Sequence, residues 1–80
     1  METKVKSSKN QHKEYNIKWD SEKDRVYIFF SLKDGSESEY QVGEDITSLE
    51  SAKSITELYL KDNEDLLLAH EADLKRKGLL

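Results

Sequence analysis

The residues of this chain that could carry chemistry are its histidines, its carboxylates and one strip of basic and aromatic side chains. There is no cysteine, which excludes thiol nucleophiles and cysteine-ligated zinc. The two histidines, His12 and His70, lack the spacing of metal ligands, and we expect His70 on a helix face beside a hydrogen-bonding neighbour. No carboxylate lies in the apolar sequence context that general-acid chemistry requires. We therefore expect a protein that is not an enzyme and uses no cofactor.

Acidic residues are concentrated in one long stretch of the chain. Residues 1–19 carry five lysines and two glutamates, whereas residues 20–80 have a net charge of −7. Residues 34–73 alone contain 12 carboxylates and only two lysines. Such a field repels nucleic acid and attracts basic protein surfaces. An acidic surface also keeps small proteins soluble, so the charge by itself leaves both interpretations open.

The first functional hypothesis is a small acidic protein-binding module. In size and charge the chain resembles phage and mobile-element inhibitors or adaptors, which is a likeness of composition and not of family. It would occupy a basic surface of a nuclease, a polymerase or another nucleic-acid-binding protein. On this hypothesis the carboxylates imitate phosphates, and direct binding of nucleic acid is not expected. The acidic surface predicted to bind consists of Glu37, Glu39, Glu44, Asp45, Glu50, Glu57, Asp62, Glu64 and Asp65.

The second hypothesis is a single-stranded nucleic-acid binder. Basic and aromatic residues alternate on one face of a predicted strand and its neighbours, where rings would stack on bases and cations would bind phosphates. The residues of this basic-aromatic strip are Lys18, Arg25, Tyr27, Phe29 and Lys33. Glu37 and Glu39 flank the same face and oppose this hypothesis. A helix or a second subunit that covers the two rings is the alternative interpretation.

A third hypothesis is a homodimeric structural module. The predicted C-terminal helix has two apolar arcs, and core packing needs only one of them. The second arc, with Leu68, Ala72 and Leu79, either covers the margin of the sheet or forms a dimer face. The sequence does not separate these alternatives.

The chain is expected to consist of a disordered basic arm and one small folded domain. Residues 1–13 are rich in lysine and polar residues, with Val5 as the one aliphatic residue after Met1, so we predict an arm without structure. Residues 14–80 are predicted to form a single α+β domain. No apolar run approaches the length of a membrane span, and we expect a cytoplasmic protein.

Alternation of apolar and polar residues predicts three strands. The first contains Tyr15, Ile17 and Trp19, the second occupies residues 25–33, and the third ends at Gly43. Because a one-residue slip turns every side chain to the other face, burial favours a three-residue loop over residues 33–35, with Gly35 in a left-handed conformation. The same reasoning predicts a four-residue loop over residues 20–23 between the first two strands. The strand pairs expected from these two turns are Ile28–Tyr40, Val26–Val42, Ile17–Val26 and Tyr15–Ile28.

The period then changes to that of helices. Thr47 and Glu50 have capping-box spacing and predict the start of one helix, with Ser54 as a possible later start. Asn63 has the features of a second cap, and Gly78 marks the stop of a helix over residues 64–77. The predicted fold class is therefore α+β, with a three-stranded antiparallel β-meander followed by two α-helices (β-β-β-α-α).

Overall fold

The protein is described by a computed structural model that covers all residues from 1 to 80. Four strands form one antiparallel sheet in the order β1-β2-β3-β4, and a single helix packs on one face of it. The α+β class is therefore confirmed. The elements are β1 (Glu2–Lys6), β2 (Glu14–Asp20), β3 (Arg25–Ser31), β4 (Glu37–Gly43) and α1 (Leu49–Arg76).

The extra strand lies in the segment for which a disordered arm was predicted, and that prediction is wrong for Glu2–Lys6. These residues pair with β2, so that Val5 stands opposite Tyr15. Val5 is 2% exposed and belongs to the core. One aliphatic residue is enough here because the edge of β2 supplies the backbone partners and the helix supplies the apolar cover.

The hairpin between β3 and β4 has the predicted register. Gly35 adopts a φ of +90°, and Ile28 lies opposite Tyr40. The Asp34 carboxylate accepts hydrogen bonds from the backbone N–H and hydroxyl of Ser36, at 2.9 and 2.6 Å, which stabilises the loop. The predicted pairing of Val26 with Val42 is wrong, because an irregularity after Val26 shifts the ladder and places Val26 opposite Gly43.

The register between β2 and β3 differs from the prediction by two residues. Ile17 lies opposite Ile28, and Trp19 lies opposite Val26. The turn is formed by residues 21–24, one position later than expected, because the Asp20 carboxylate accepts backbone N–H groups from residues 22 and 23. A shift of two residues preserves the faces of a strand, so the predicted core side is still correct.

The two predicted helices are one helix of 28 residues with a kink. Asn63 leaves the helical conformation, with φ −134° and ψ 17°, at the position where a second cap was predicted. Because the chain re-enters the helix at once, Asn63 bends α1 and does not divide it into separate elements. The cap at the start is Ser48, whose hydroxyl oxygen accepts the Ser51 backbone N–H at 3.1 Å, and the predicted cap at Thr47 is wrong by one residue.

The helix ends at the predicted glycine. Gly78 has a φ of +75°, its N–H donates to the Lys75 carbonyl at 3.0 Å, and the Leu79 N–H donates to the Leu74 carbonyl at 2.9 Å. These bonds satisfy carbonyls that a helix end leaves free. The Leu79 carbonyl then accepts the Lys33 N–H at 2.9 Å, which fastens the C-terminal residues to the β3–β4 loop.

One layer of apolar side chains lies between the sheet and α1. The sheet contributes Ile17, Val26 and Ile28, each fully buried, and the helix contributes Leu60 and Leu67. The opposite face of the sheet is open and carries mostly charged and polar side chains. No helix of the protein has the length and apolar character needed to cross a membrane.

Candidate protein-binding surface

Glu64, one of the carboxylates predicted to lie on the acidic surface, is buried in the core at 2% exposure. The side chain accepts hydrogen bonds from the Ser7 hydroxyl, from the Ser8 N–H and hydroxyl at 2.8 and 2.6 Å, and from the Tyr15 hydroxyl at 2.9 Å. Burial alone would raise the pKa of Glu64, but these donors outweigh it and lower the pKa to about 2. The assignment of Glu64 to a binding surface is therefore wrong, because the residue lies one helical turn after Leu60 on the core face.

Tyr15 shows the reciprocal effect of this contact. Burial, and then the hydrogen bond to Glu64, raise the pKa of the Tyr15 hydroxyl far above its ordinary value. The Ser7 hydroxyl oxygen also accepts the backbone N–H groups of Lys9 and Asn10, each at 3.1 Å. One buried carboxylate therefore organises the whole connection between β1 and β2 and fixes it to the helix.

Two lysines of the same N-terminal segment pair with the helix. Lys9 contacts the Asp65 carboxylate, and the Lys13 ammonium lies 2.6 Å from Glu71. The basic charge of residues 1–19 is thus partly neutralised by the acidic helix within the same molecule. Asp65 remains largely exposed, but it already has a cationic partner.

Charges on the open face of the sheet are also paired. The Lys18 ammonium lies 2.9 Å from Glu37 and 2.5 Å from Glu39, and hydrogen bonds to Glu39 and then Glu37 raise the pKa of Lys18. The same ammonium lies 5.3 Å from the centre of the Phe29 ring. Lys18 therefore bridges β2 and β4 across the face that was predicted to bind nucleic acid.

The basic-aromatic strip presents few accessible groups. Phe29 is only 7% exposed, Tyr27 is half-buried, and Lys18 is engaged by carboxylates. Arg25 is exposed at the start of β3, and the exposed Lys33 lies in the loop after its end. Lys18, Tyr27 and Phe29 therefore share one sheet face, with Tyr27 as the one partly accessible ring. Binding of nucleic acid there stays a prediction.

Five of the nine predicted acidic residues are exposed and have no cationic partner. Three of these stand at the start of the helix and in the loop before it. Asp45 and Glu50 line a shallow groove together with Ile46, Ser51, Ser54 and Ile55, and Glu44 precedes Asp45 in the chain. The five unpaired residues are Glu44, Asp45, Glu50, Glu57 and Asp62.

Apolar side chains lie exposed beside these carboxylates. Leu58 and Leu66 are 58% and 59% exposed, and Ile55 is 36% exposed within the groove. They stay exposed because only a narrow face of α1, with Leu60, Leu67 and Leu74, packs on the sheet. We call the groove with Asp45, Glu50 and Ile55, together with Glu44, the acidic groove.

The flank of the helix next to β4 is held by side-chain hydrogen bonds. The hydroxyls of Tyr40 and Tyr59 lie 2.8 Å apart, and burial together with this bond raises the pKa of Tyr59 to about 12. Ser38 Oγ lies 3.1 Å from His70 Nε2, and the imidazole packs against the Phe30 and Tyr40 rings. The prediction that a neighbour satisfies His70 on a helix face is confirmed. No three His, Asp or Glu side chains converge as metal ligands would.

The three residues predicted as a dimer face differ in their exposure. Ala72 is exposed, Leu68 is half-buried, and Leu79 packs against the core of its own chain. The helix end at Gly78 directs Leu79 back toward the β3–β4 loop, which explains its contact with the core. A dimer through this face stays a prediction.

Comparisons of this chain with protein-family models, with curated proteins and with solved structures find no match. The surface with unpaired carboxylates beside exposed apolar side chains is the acidic groove.

Proposed function

We propose that this protein is a small non-enzymatic binding module that attaches to a basic surface of a partner protein through the acidic groove. The observation that carries the proposal is that Glu44, Asp45 and Glu50 are exposed without a cationic partner next to the partly exposed Ile55. Glu64, Asp65 and Glu71, which lie on the flank of α1 that contacts the N-terminal segment, are in contrast hydrogen-bonded or ion-paired within the fold. The partner class is a nuclease, a polymerase or another nucleic-acid-binding protein, and the module acts on it as an inhibitor or adaptor.

Charge and apolar contact have different roles in such binding. Carboxylates steer a basic partner and exclude acidic ones, which affects association rate and specificity more than the final affinity. Apolar side chains at the centre of a contact supply most of the binding free energy. Ile55 lines the same groove as Asp45 and Glu50, so an apolar contact and two carboxylates are available to one partner surface.

Nucleic-acid-binding surfaces are a suitable target because they present cations spaced to meet phosphates. A carboxylate provides the same negative charge and the same acceptor oxygens for arginine and lysine. The module would therefore compete with nucleic acid for the partner. This competition distinguishes it from a binder of nucleic acid, which would form a complex with the oligonucleotide itself.

The test is capture of partners from a lysate with two charge-reversed variants. One variant carries Glu44→Lys and Glu50→Lys in the acidic groove. The matched control carries Glu14→Lys and Glu22→Lys, which alter the net charge equally at exposed, unpaired positions elsewhere. We expect the wild type and the control to capture a basic nucleic-acid-binding protein at low salt, and the groove variant to lose it. Added oligonucleotide should release the captured protein.

Two results would contradict the proposal. Equal capture by both variants would show that the groove is not the contact. Binding of a labelled single-stranded oligonucleotide to the isolated wild type would favour the alternative function, a nucleic-acid binder that uses the basic-aromatic strip. The titration is done at low salt, because electrostatic binding is strongest at low salt. Circular dichroism of each variant establishes that the fold is retained.

A further inference from the structure

The outer edge of β4 is an unpaired strand edge. β4 pairs only with β3, and none of its residues makes a backbone–backbone hydrogen bond outside the sheet and helix ladders. The hairpin closes with the Leu32 N–H donating to the Ser36 carbonyl at 2.8 Å. Because bonded and non-bonded pairs alternate along an antiparallel ladder, the backbone groups of Glu37, Glu39 and Gln41 point away from β3.

The side of this edge that faces the helix is apolar. Tyr40 and Val42 of β4 are half-buried and pack against the core. Ile55 lies four residues before Tyr59, and Leu66 lies four residues before His70, and both Tyr59 and His70 are hydrogen-bonded to β4 side chains. Residues four apart share a helix flank, so Ile55 and Leu66 lie on the flank of α1 that adjoins β4.

The other side of the edge is acidic. Glu37, Glu39 and Gln41 are exposed on the open face of the sheet, and Lys18 offsets only one of the two negative charges. A strand placed beside β4 would therefore present alternate side chains to an apolar region and to an acidic one.

We infer that β4 binds an extended segment of the basic partner as a fifth strand of the sheet. This inference rests on the proposed function and adds the manner of recognition. The segment alternates apolar residues, which pack under Ile55 and Leu66, with lysine or arginine, which meet Glu37 and Glu39. The backbone bonds to Glu39 and Gln41 supply affinity, and the alternation supplies specificity.

A second copy of this chain is a poorer occupant of the edge. Two β4 strands side by side would bring Glu37 and Glu39 of both copies to one seam. β1 of another copy has suitable lysines, Lys4 and Lys6, but its Val5 is 2% exposed beneath its own helix and cannot reach the apolar region. The pattern favours a partner segment whose apolar side chains are free.

The test uses a synthetic peptide with capped termini that is as long as β4 and alternates valine and lysine. Its control is a peptide of the same composition in which the lysines and the valines form separate blocks. We expect the wild type to bind the alternating peptide about tenfold more tightly than the block peptide by titration calorimetry. The amides of Glu39 and Gln41 should become protected from hydrogen exchange when the alternating peptide is added.

A pair of variants tests the backbone contact without a change of charge. Gln41→Pro removes an N–H that β3 does not use, which edge strands tolerate, whereas Gln41→Ala keeps it. Gln41→Pro should lose the preference for the alternating peptide, and Gln41→Ala should retain it.

Each contrary result has a distinct meaning. If the wild type binds both peptides equally, the acidic attraction of the proposed function is supported and strand addition is overturned. If it binds neither peptide at low salt, the fifth strand is overturned, while capture by the wild type and its loss in the Glu44→Lys, Glu50→Lys variant decide the proposed function separately. Unprotected amides at Glu39 and Gln41 in the bound wild type, or wild-type dimers that the peptide cannot dissociate, also overturn the fifth strand.

Discussion

The two sides of this molecule use their carboxylates in different ways. Along β1, the helix directs Glu64 into four hydrogen bonds and pairs Asp65 and Glu71 with lysines of the N-terminal segment. Beyond the end of β4, the carboxylates of the acidic groove, Glu44, Asp45 and Glu50, form no ion pair within the protein. Net charge in a stretch of sequence therefore overstates the charge available to a partner, because the fold first forms its own ion pairs. The carboxylates that remain unpaired are those on which the proposed binding rests.

The largest expected effect is at Glu64. Glu64→Ala leaves the hydroxyls of Ser7 and Tyr15 buried without an acceptor and removes the acceptor of the Ser8 N–H, which should lower the free energy of unfolding by about 3 kcal/mol. Urea denaturation measures this loss. Glu57→Ala is the control on the exposed face and should change stability by less than about 0.5 kcal/mol. Equal effects of the two substitutions would remove the distinction between the two sides.

A pH titration of stability should report the same carboxylate. Because the fold lowers the pKa of Glu64 from 4.5 to about 2, its contribution is present above pH 4.5 and is lost as the pH falls toward 2. The loss should approach about 3 kcal/mol, since each pKa unit corresponds to about 1.4 kcal/mol. The free energy of unfolding, measured between neutral pH and pH 2, tests this. In Glu64→Gln, the fall of this free energy on the acid limb of the curve, below pH 4.5, should be smaller than in the wild type. An unchanged limb in that variant would assign the acid sensitivity to other groups.

On the β4 side, the next effect concerns Gly43. A Cβ at this position would lie 2.8 Å from Ile55 Cγ2 and 3.0 Å from Val26 Cγ1, both closer than packed carbons approach. Gly43→Ala should therefore cost about 2 kcal/mol of stability by overpacking. Adding Ile55→Ala removes the nearer atom, so the double variant should be less destabilised than the sum of the two single variants. Strict additivity in this thermal or urea double-mutant cycle would exclude the close contact as the cause.

The smallest effect on stability, with the clearest effect on binding, is expected at Lys18. Lys18→Met keeps apolar cover over Phe29 and removes the cation that holds Glu37 and Glu39. Stability should fall by about 1 kcal/mol or less, because these ion pairs are partly exposed. Binding of the alternating valine–lysine peptide should tighten, since two carboxylates become free. Weaker peptide binding in a folded Lys18→Met variant would place the contact elsewhere.

Local patterns in the sequence predicted the central part of the fold well. Alternation and the glycine loop were sufficient for the β3–β4 register, because a one-residue error there would bury glutamates under the helix. The helix stop at Gly78 was equally local. Ser48 replaced Thr47 as the cap because adjacent hydroxyl residues offer nearly equivalent acceptors.

Long-range contacts account for what local patterns could not predict. β1 has one core residue, and its order depends on the Ser7, Ser8 and Tyr15 bonds to a residue more than forty positions away. Glu64 has the same type and neighbourhood in the sequence as the exposed Asp65, and only the phase of the helix after Asn63 separates them. Composition therefore predicted the acidic charge of this stretch, but only the fold shows which of its carboxylates are exposed and unpaired.

The kink at Asn63 also sets where the chain can change its length. Each residue added to a helix turns everything after it by about 100°, so one insertion between Leu60 and Glu64 would move the buried carboxylate away from Ser7 and Ser8. Leu67 and Leu74 would leave the sheet in the same rotation. The turn at residues 21–24 is exposed, and an insertion there does not rotate the residues that follow it. This turn can therefore lengthen while the faces of the sheet stay in place. Variation in length should therefore be confined to the end of the sheet that carries this turn.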